Sequence, residues 1–418
     1  MISEYFEYIT GEKFCSKVTD GTHDTPKQVK NGKHLITSKH IKGDEIDFDS
    51  AYLISESDFN AINKRSKVDQ WDVIISMIGA YCGFCFLESN SEIDYAVKNV
   101  GLFKNRSEIN AKWLYYYLNS PIGEAHLDAA RSGSTQPYIS LGSLRELPIL
   151  VPKDESRKKS IVDVLEVFDS KLRINNNINT ELESMAKTLY DYWFIQFDFP
   201  DADGKPYKSS SGKMVYNETL KREIPEGWKS STIEDIESNI VTGKTPSKKK
   251  PEYFDGYIPF ITIGDIRANT FIVQTEETLT SKGADTQKNK YLPVGAICVT
   301  CIASPGLVGF VTEPSQTNQQ INSVVCSNPL NRYYLYFAIK VYFEGAKAKT
   351  GNTFANMNKN DFSSISILYP NKDLLSNYYK VADPLFRQIK AKTLENKELE
   401  NLRDWLLPML MNGQVTIN

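Results

Sequence analysis

Residues 351–370 lie without a gap over residues 133–152, and each copy then runs into a long helix-like tract. The match continues upstream in the same order. Ile36-Thr37-Ser38-Lys39-His40-Ile41 answers Ile261-Thr262-Ile263-Gly264-Asp265-Ile266, and residues 71–76 answer 295–300 in apolar pattern. Residues 18–27 answer 240–248 more loosely. Ordered self-similarity with a period of about two hundred residues dictates architecture before any local propensity does. Such a chain has two similar faces, which suits reading two separated halves of something better than building one catalytic pocket.

Inside each copy, runs of Val, Ile, Phe and Tyr are broken by Gly, Pro, Asn and Asp, which predicts strands joined by turns over 73–78, 84–87, 257–263, 296–301 and 307–311. One helix is expected in each copy, over 111–119 and 331–343. From Asp154 the texture changes: Ile161, Leu165, Phe168, Leu172, Ile178, Leu182, Met185 and Leu189 follow steps of three and four, except across Asn175-Asn176-Asn177. That is a narrow stripe on a helix of about 40 residues, reaching about 60 Å. Leu385, Ile389, Leu399, Leu402 and Leu406 repeat it around a polar middle at 390–396, so the two stripes are expected to pack antiparallel. Asp383-Pro384 reads as an N-cap and first helical residue, where the second helix restarts or kinks. Residues 200–212 read as a Gly/Pro/Ser-rich linker.

At 418 residues the length prior is two or three domains. No run of eighteen apolar residues exists and no signal peptide is evident, so a cytoplasmic protein with reduced cysteines and no membrane partner is expected. A formal charge of −3 argues weakly against unaided nucleic-acid binding. Charge is local, however. Lys244, Lys248, Lys249 and Lys250 stand together without an acid, and Lys98, Lys104, Arg106 and Lys112 face only Glu108.

Catalytic signals fail one after another. Gly243-Lys244-Thr245 imitates the end of a phosphate loop, but Ser238 stands where its first glycine is needed. Asp383-Pro384-Leu385-Phe386 imitates an amino-methyltransferase loop, with one proline and in a helical tract. Cys82/Cys85 and Cys298/Cys301 could together make a zinc site, yet they fall at non-equivalent places in the repeat, so buried thiols are the simpler reading. Asp20, His23 and Asp24 lack a fourth metal ligand, and four histidines leave little room for acid-base chemistry. No cofactor, metal or catalytic residue is expected.

These pieces together resemble the specificity subunit of type I restriction-modification systems. The resemblance is carried by Asp20-Gly21-Thr22-His23-x-Thr25-Pro26, by Gly133-Ser134-Thr135-Gln136 ahead of Leu147-Pro148-Ile149-Leu150-Val151-Pro152, by residues 189–199 and 402–413 closing the two helices, and by Ile224-Pro225-Glu226-Gly227-Trp228. The first copy departs from the pattern in lacking a counterpart of that last segment. The resemblance implies an α+β fold with two similar target recognition domains of mainly β character, separated by two long antiparallel coiled-coil-like helices, as a pseudo-twofold internal repeat. The expected divisions are a first domain over 1–152, a helix over 153–197, a linker over 198–223, a second domain over 224–370 and a helix over 371–413. It further implies a non-catalytic DNA reader of a bipartite double-stranded target, with the helices as a ruler for the unread gap. Its partners would be two methyltransferase subunits and, for cleavage, restriction/translocation subunits. Two other readings remain open: a self-sufficient DNA methyltransferase or nuclease, and a two-headed coiled-coil adaptor without a DNA role.

Loops that mix Gly with hydroxyl, amide and basic side chains are the expected DNA readers, since phosphate contacts position and base-edge contacts specify. In the first copy these are Thr19, Asp20, Gly21, Thr22, His23, Ser38, Lys39, His40, Ser134, Thr135 and Gln136. In the second they are Thr242, Gly243, Lys244, Thr245, Lys248, Lys249, Gly264, Asp265, Gly351, Asn352 and Thr353. Tyr192, Trp193 and Phe194, with Trp405, Leu406 and Met409, form aromatic and apolar helix ends that either dock methyltransferase subunits or pack on the neighbouring globular unit.

Overall fold

The computed structural model describes residues 5–133, 135–267, 269–350 and 356–415. The chain divides into two compact units, residues 1–170 with 400–418 and residues 171–399. The division cuts through both long helices, because each globular core packs on its own share of them.

In the first unit Val73–Ser76 is buried at every position. Successive strand residues face opposite ways. Val73 and Ile75 join a cluster with Trp113, Leu114 and Ile161, while Ile74 joins Ile36, Val97 and Leu102 on the other face. Only a central, doubly covered strand tolerates that pattern. It lies between Val100–Lys104 and Cys85–Leu87, and Lys17–Asp20 completes a four-stranded antiparallel sheet. A second sheet holds Lys33–Thr37 between Leu53–Ile54, antiparallel, and Tyr95–Lys98, parallel. Phe6–Thr10 pairs with Pro148–Pro152. The helix expected over 111–119 runs Glu108–Leu118, capped by the Ser107 hydroxyl.

The second unit repeats all three arrangements. Ile297–Thr300 is the buried strand, with Ile297 and Val299 on one cluster and Cys298 on another. Ile321–Val324 and Val308–Val311 flank it, and Ile240–Thr242 lies outside the former. Phe254–Ile261 pairs antiparallel with Glu277–Leu279 and parallel with Gln316–Thr317. Lys229–Thr232 pairs with Ser366–Tyr369. One bond marks the gapless 133/351 alignment as structural: Ile139 N donates to Met77 O (2.9 Å), and Met357 N donates to Cys301 O (3.0 Å). The additions are the edge strand Phe271–Ile272 and the hairpin Met214–Asn217/Arg222–Pro225. The helix expected over 331–343 extends over Arg332–Thr350.

Two local expectations change. The second long helix, Lys372–Met411, runs through Asp383-Pro384 without restarting. Pro384 lies on the exposed side, where the carbonyl it leaves unpaired meets water. Asp383 is no cap; it accepts from Tyr333 Oη (2.8 Å) and pairs with Arg387. Segment 198–223 is folded back rather than free. Phe199 stacks on Tyr207 and Trp228, with centroids 4.6 and 5.3 Å apart, and Asp198 accepts from both Ser209 N and Oγ.

Within each unit the helix segments run antiparallel. In the first, Ile161 and Leu165 share a cluster with Leu407 and Leu410, and Arg403 Nη1 donates to Asp169 (3.0 Å). In the second, the polar interruptions meet. Asn175, fully buried, donates to Asn396 Oδ1 (2.9 Å), Asn396 donates to Asn176 Oδ1 (2.7 Å), and Asn179 faces Thr393. Asn396→Leu strands these amides and is expected to destabilise by about 1–3 kcal/mol. Asn175→Leu combined with Asn396→Leu should recover most of it. Denaturation midpoints of the two variants check this; a double variant no better than the single would contradict it.

Candidate nucleic-acid interface

Strand register brings several of the loops expected to read DNA to one end of each unit. In the first, Asp20 faces Gly101, Ser76 faces Val100 and Thr37 faces Lys98, so the turns after Asp20, Thr37 and Ser76 and the turn at Asn99 emerge together. In the second, Thr242 faces Asn322, Thr300 faces Ile321 and Ile261 faces Thr317, with the same consequence.

Many of the expected readers hold these turns rather than face outward. Thr19, Asp20, Thr22, Ser38 and His40 are buried. A Cβ on Gly21 would lie 2.7 Å from Val97 O, and one on Gly243 would lie 2.1 Å from Asn318 O, so both glycines serve close backbone approach. Ser38 Oγ donates to Asn99 O (2.5 Å) and accepts from Met77 N (3.1 Å), stitching three turns together. His40 Nδ1 accepts from Thr37 N (2.9 Å); Asp265 Oδ2 accepts from Thr262 N (2.7 Å) at the equivalent place. Burial, then the neighbouring Lys39 charge, holds His40 below the usual imidazole range, which keeps the nitrogen an acceptor. Thr242 Oγ1 donates to Asn322, and Thr245 Oγ1 to Gln319, both at 2.6 Å.

The outward set is smaller. His23, Lys39, Thr135 and Gln136 are exposed in the first unit, and Lys244, Lys248, Lys249 and Gly264 in the second. Lys248 is paired with Glu277 (2.5 Å), while Lys244 and Lys249 have no side-chain partner among the described residues. Ser134, Gly351, Asn352 and Thr353 lie outside the described residues.

The structure adds residues that no local pattern indicates. Asp20 holds two outward side chains at once: Arg65 Nη2 lies 2.8 Å from Oδ1 and His23 Nε2 lies 2.8 Å from Oδ2. His23 Nδ1 also contacts Asn99 Oδ1 (3.1 Å). Arg65 is 45 residues from Asp20 in sequence and ends the helix Glu56–Ser66, so only folding joins them.

At the helix ends Trp193 and Phe194 are buried in the second unit's core against Tyr378, and Trp228 and Tyr334 meet Phe194. The widened π-type turn Asp191–Ile195 lets consecutive aromatics both face inward. For these two residues the packing alternative applies, because no ring surface is left for docking. Tyr192 is exposed, Trp405 is 66% exposed, Leu406 packs on the first core, and Met409 is half-buried.

The cysteines are core residues. Burial pushes Cys15, Cys85, Cys298 and Cys326 up to about 12 and Cys301 to about 11, so none is a ready thiolate. Among the described residues no His/Cys/Asp/Glu group could hold a metal, and no helix is long and apolar enough to cross a membrane.

Residues 27–184 and 225–401 each match the family described as Type I restriction modification DNA specificity domain. The chain belongs to the family of type I restriction-modification specificity subunits. It is 32% identical over 336 residues to the type I restriction enzyme HindI specificity subunit of Haemophilus influenzae, covering 68% of this chain and 72% of that one. Identity to the MjaIX specificity subunit of Methanocaldococcus jannaschii is 24% over 312 residues, covering 73% and 69%. The S subunit structure from M. genitalium superposes with a TM-score of 0.57 at 15% identity, covering 98% of this chain and 96% of that one, a likeness of fold. As a specificity subunit with two recognition domains the protein is non-catalytic, and the chemistry of its system lies in other subunits.

Proposed function

We propose that each recognition unit reads one half of a bipartite DNA duplex with the loop-bearing end of its antiparallel sheet, and that the long helices set the gap. The reading rests on one observation: the same loop-bearing sheet end occurs twice, with outward Arg65, His23, Lys39 and Gln136 at one and Lys244, Lys249 and Gln319 at the other. Cations serve phosphates, and amides serve adenine edges. Tyr192 and Trp405 offer the exposed ring surface for two methyltransferase subunits, with restriction subunits joining for cleavage.

The chain assembled with its methyltransferase subunits is expected to bind its target with affinity that falls steeply as salt rises. Lys244→Gln with Lys249→Gln should lower the slope of log K on log salt by about 1–2. Fluorescence anisotropy from low to moderate salt measures both. A salt-independent affinity would favour the adaptor reading, and tight S-adenosylmethionine binding by the chain alone, read by calorimetry, would favour a self-sufficient methyltransferase.

A further inference from the structure

The reader end of the first unit carries exposed apolar surface. Ile78, Phe84 and Tyr138 are 40, 44 and 45% exposed, on two loops laced into one rigid tip. Gly79 N donates to Pro137 O and Ile139 N to Met77 O, both at 2.9 Å, and Ile78 bridges Tyr138. Neither 77–84 nor 132–138 contains an Asp or Glu. Cations border the tip instead: Lys42 Nζ lies 3.8 Å from the centroid of the Tyr81 ring, which abuts Phe84, and Arg131 Nη2 donates to Cys82 O (2.8 Å). Arg131 is paired with Asp128 (2.5 Å), so Lys42 carries the charge beside these acid-free loops, and exposed apolar side chains next to such a cation fit a polyanion that displays small apolar groups. Duplex DNA does so in its major groove, at the thymine C5 methyl. At the equivalent position of the second unit, Asn356 replaces Tyr138 and Ile302 is half-buried.

We infer that the first unit reads its half-site in part by thymine methyl groups, through Ile78, Phe84 and Tyr138. The inference rests on the duplex-reading role proposed above. The assembled complex is titrated with its target, found by mapping methylated adenines, after each thymine is replaced in turn by deoxyuracil, which removes only the methyl. The half-site read by the first unit should lose roughly fourfold in affinity per contacted methyl, the worth of one buried methyl-sized group. Ile78→Ser, Phe84→Ser and Tyr138→Asn together should abolish that penalty while moving the thermal midpoint little, since the three side chains are 40, 44 and 45% exposed. A first half-site without thymine, no deoxyuracil penalty, or a penalty that persists in the variant each overturns it. So does a variant that instead loses methyltransferase capture, which would make the tip a protein contact. Failure of all salt-dependent binding would sink the duplex-reading role itself, a separate outcome.

Discussion

Replacing Phe386 by Ala is expected to destabilise the second unit by about 3–5 kcal/mol, the loss usual for a buried aromatic. Its ring is 1% exposed and stacks on Tyr333 at 4.2 Å between centroids, with Phe310 at 5.7 Å, Tyr336 at 5.6 Å and Phe271 at 6.3 Å. Strand, helix and long helix all meet at this one side chain, so the cavity left behind cannot close by moving one element. The lost contacts add to the lost transfer energy. Calorimetry of the whole chain should show one transition lowered by roughly 10 °C, given the entropy of unfolding a unit of this size. The transition of the first unit should stay, because its core shares no residue with this cluster. An unchanged midpoint, or two transitions moving together, would refute independent cores.

Asp20→Ala is expected to weaken target binding by about 10- to 100-fold, the discrimination carried by one or two oriented contacts. The carboxylate is nearly buried, whereas Arg65 and His23 are largely exposed and share it. Removing it frees two side chains that must then lose rotamer entropy on binding. Arg65→Ala should cost a similar amount, and the double variant little more than either alone, since the two changes act on one contact. Affinity for unrelated DNA should hold or rise, because a negative charge is gone. Equal weakening on all sequences would mean that Arg65 meets only phosphate, and additive losses would mean that Asp20 does not act through it.

The duplicated frame was legible because it is a pattern of whole elements. Strand runs such as Val73–Ser76 and Ile297–Thr300 show their double burial in an unbroken apolar sequence, and the helical stripes show a period that any antiparallel pair must have. The site was less legible. A Gly-rich turn looks alike whether glycine makes room for DNA or for Val97 and Asn318, and the neighbour that decides it lies far along the chain. Thr22, Ser38 and His40 have reader-like side chains, yet their bonds are spent on the fold, and Thr19 is buried. Arg65 sits on an ordinary helix end and becomes a candidate only where Asp20 holds it.

Trp193, Phe194 and Trp405 draw the same line. Composition alone marked an aromatic surplus at both helix ends, while the π-type turn that buries one pair depends on the room available between Tyr378 and Tyr334. By itself the sequence determined the repeat, the long helices and the central strands, which follow from periodicity and order along the chain, and its motifs carried the resemblance to the family; the helices Glu56–Ser66 and Pro121–Ala130 were not among the expected elements. The tertiary structure decided which polar side chains face outward, that Asn175 meets Asn396, and that Ile78, Phe84 and Tyr138 come together at one exposed tip. Those outcomes turn on partners tens to hundreds of residues apart, whose hydrogen bonds and exclusion from water exist only once the chain is closed.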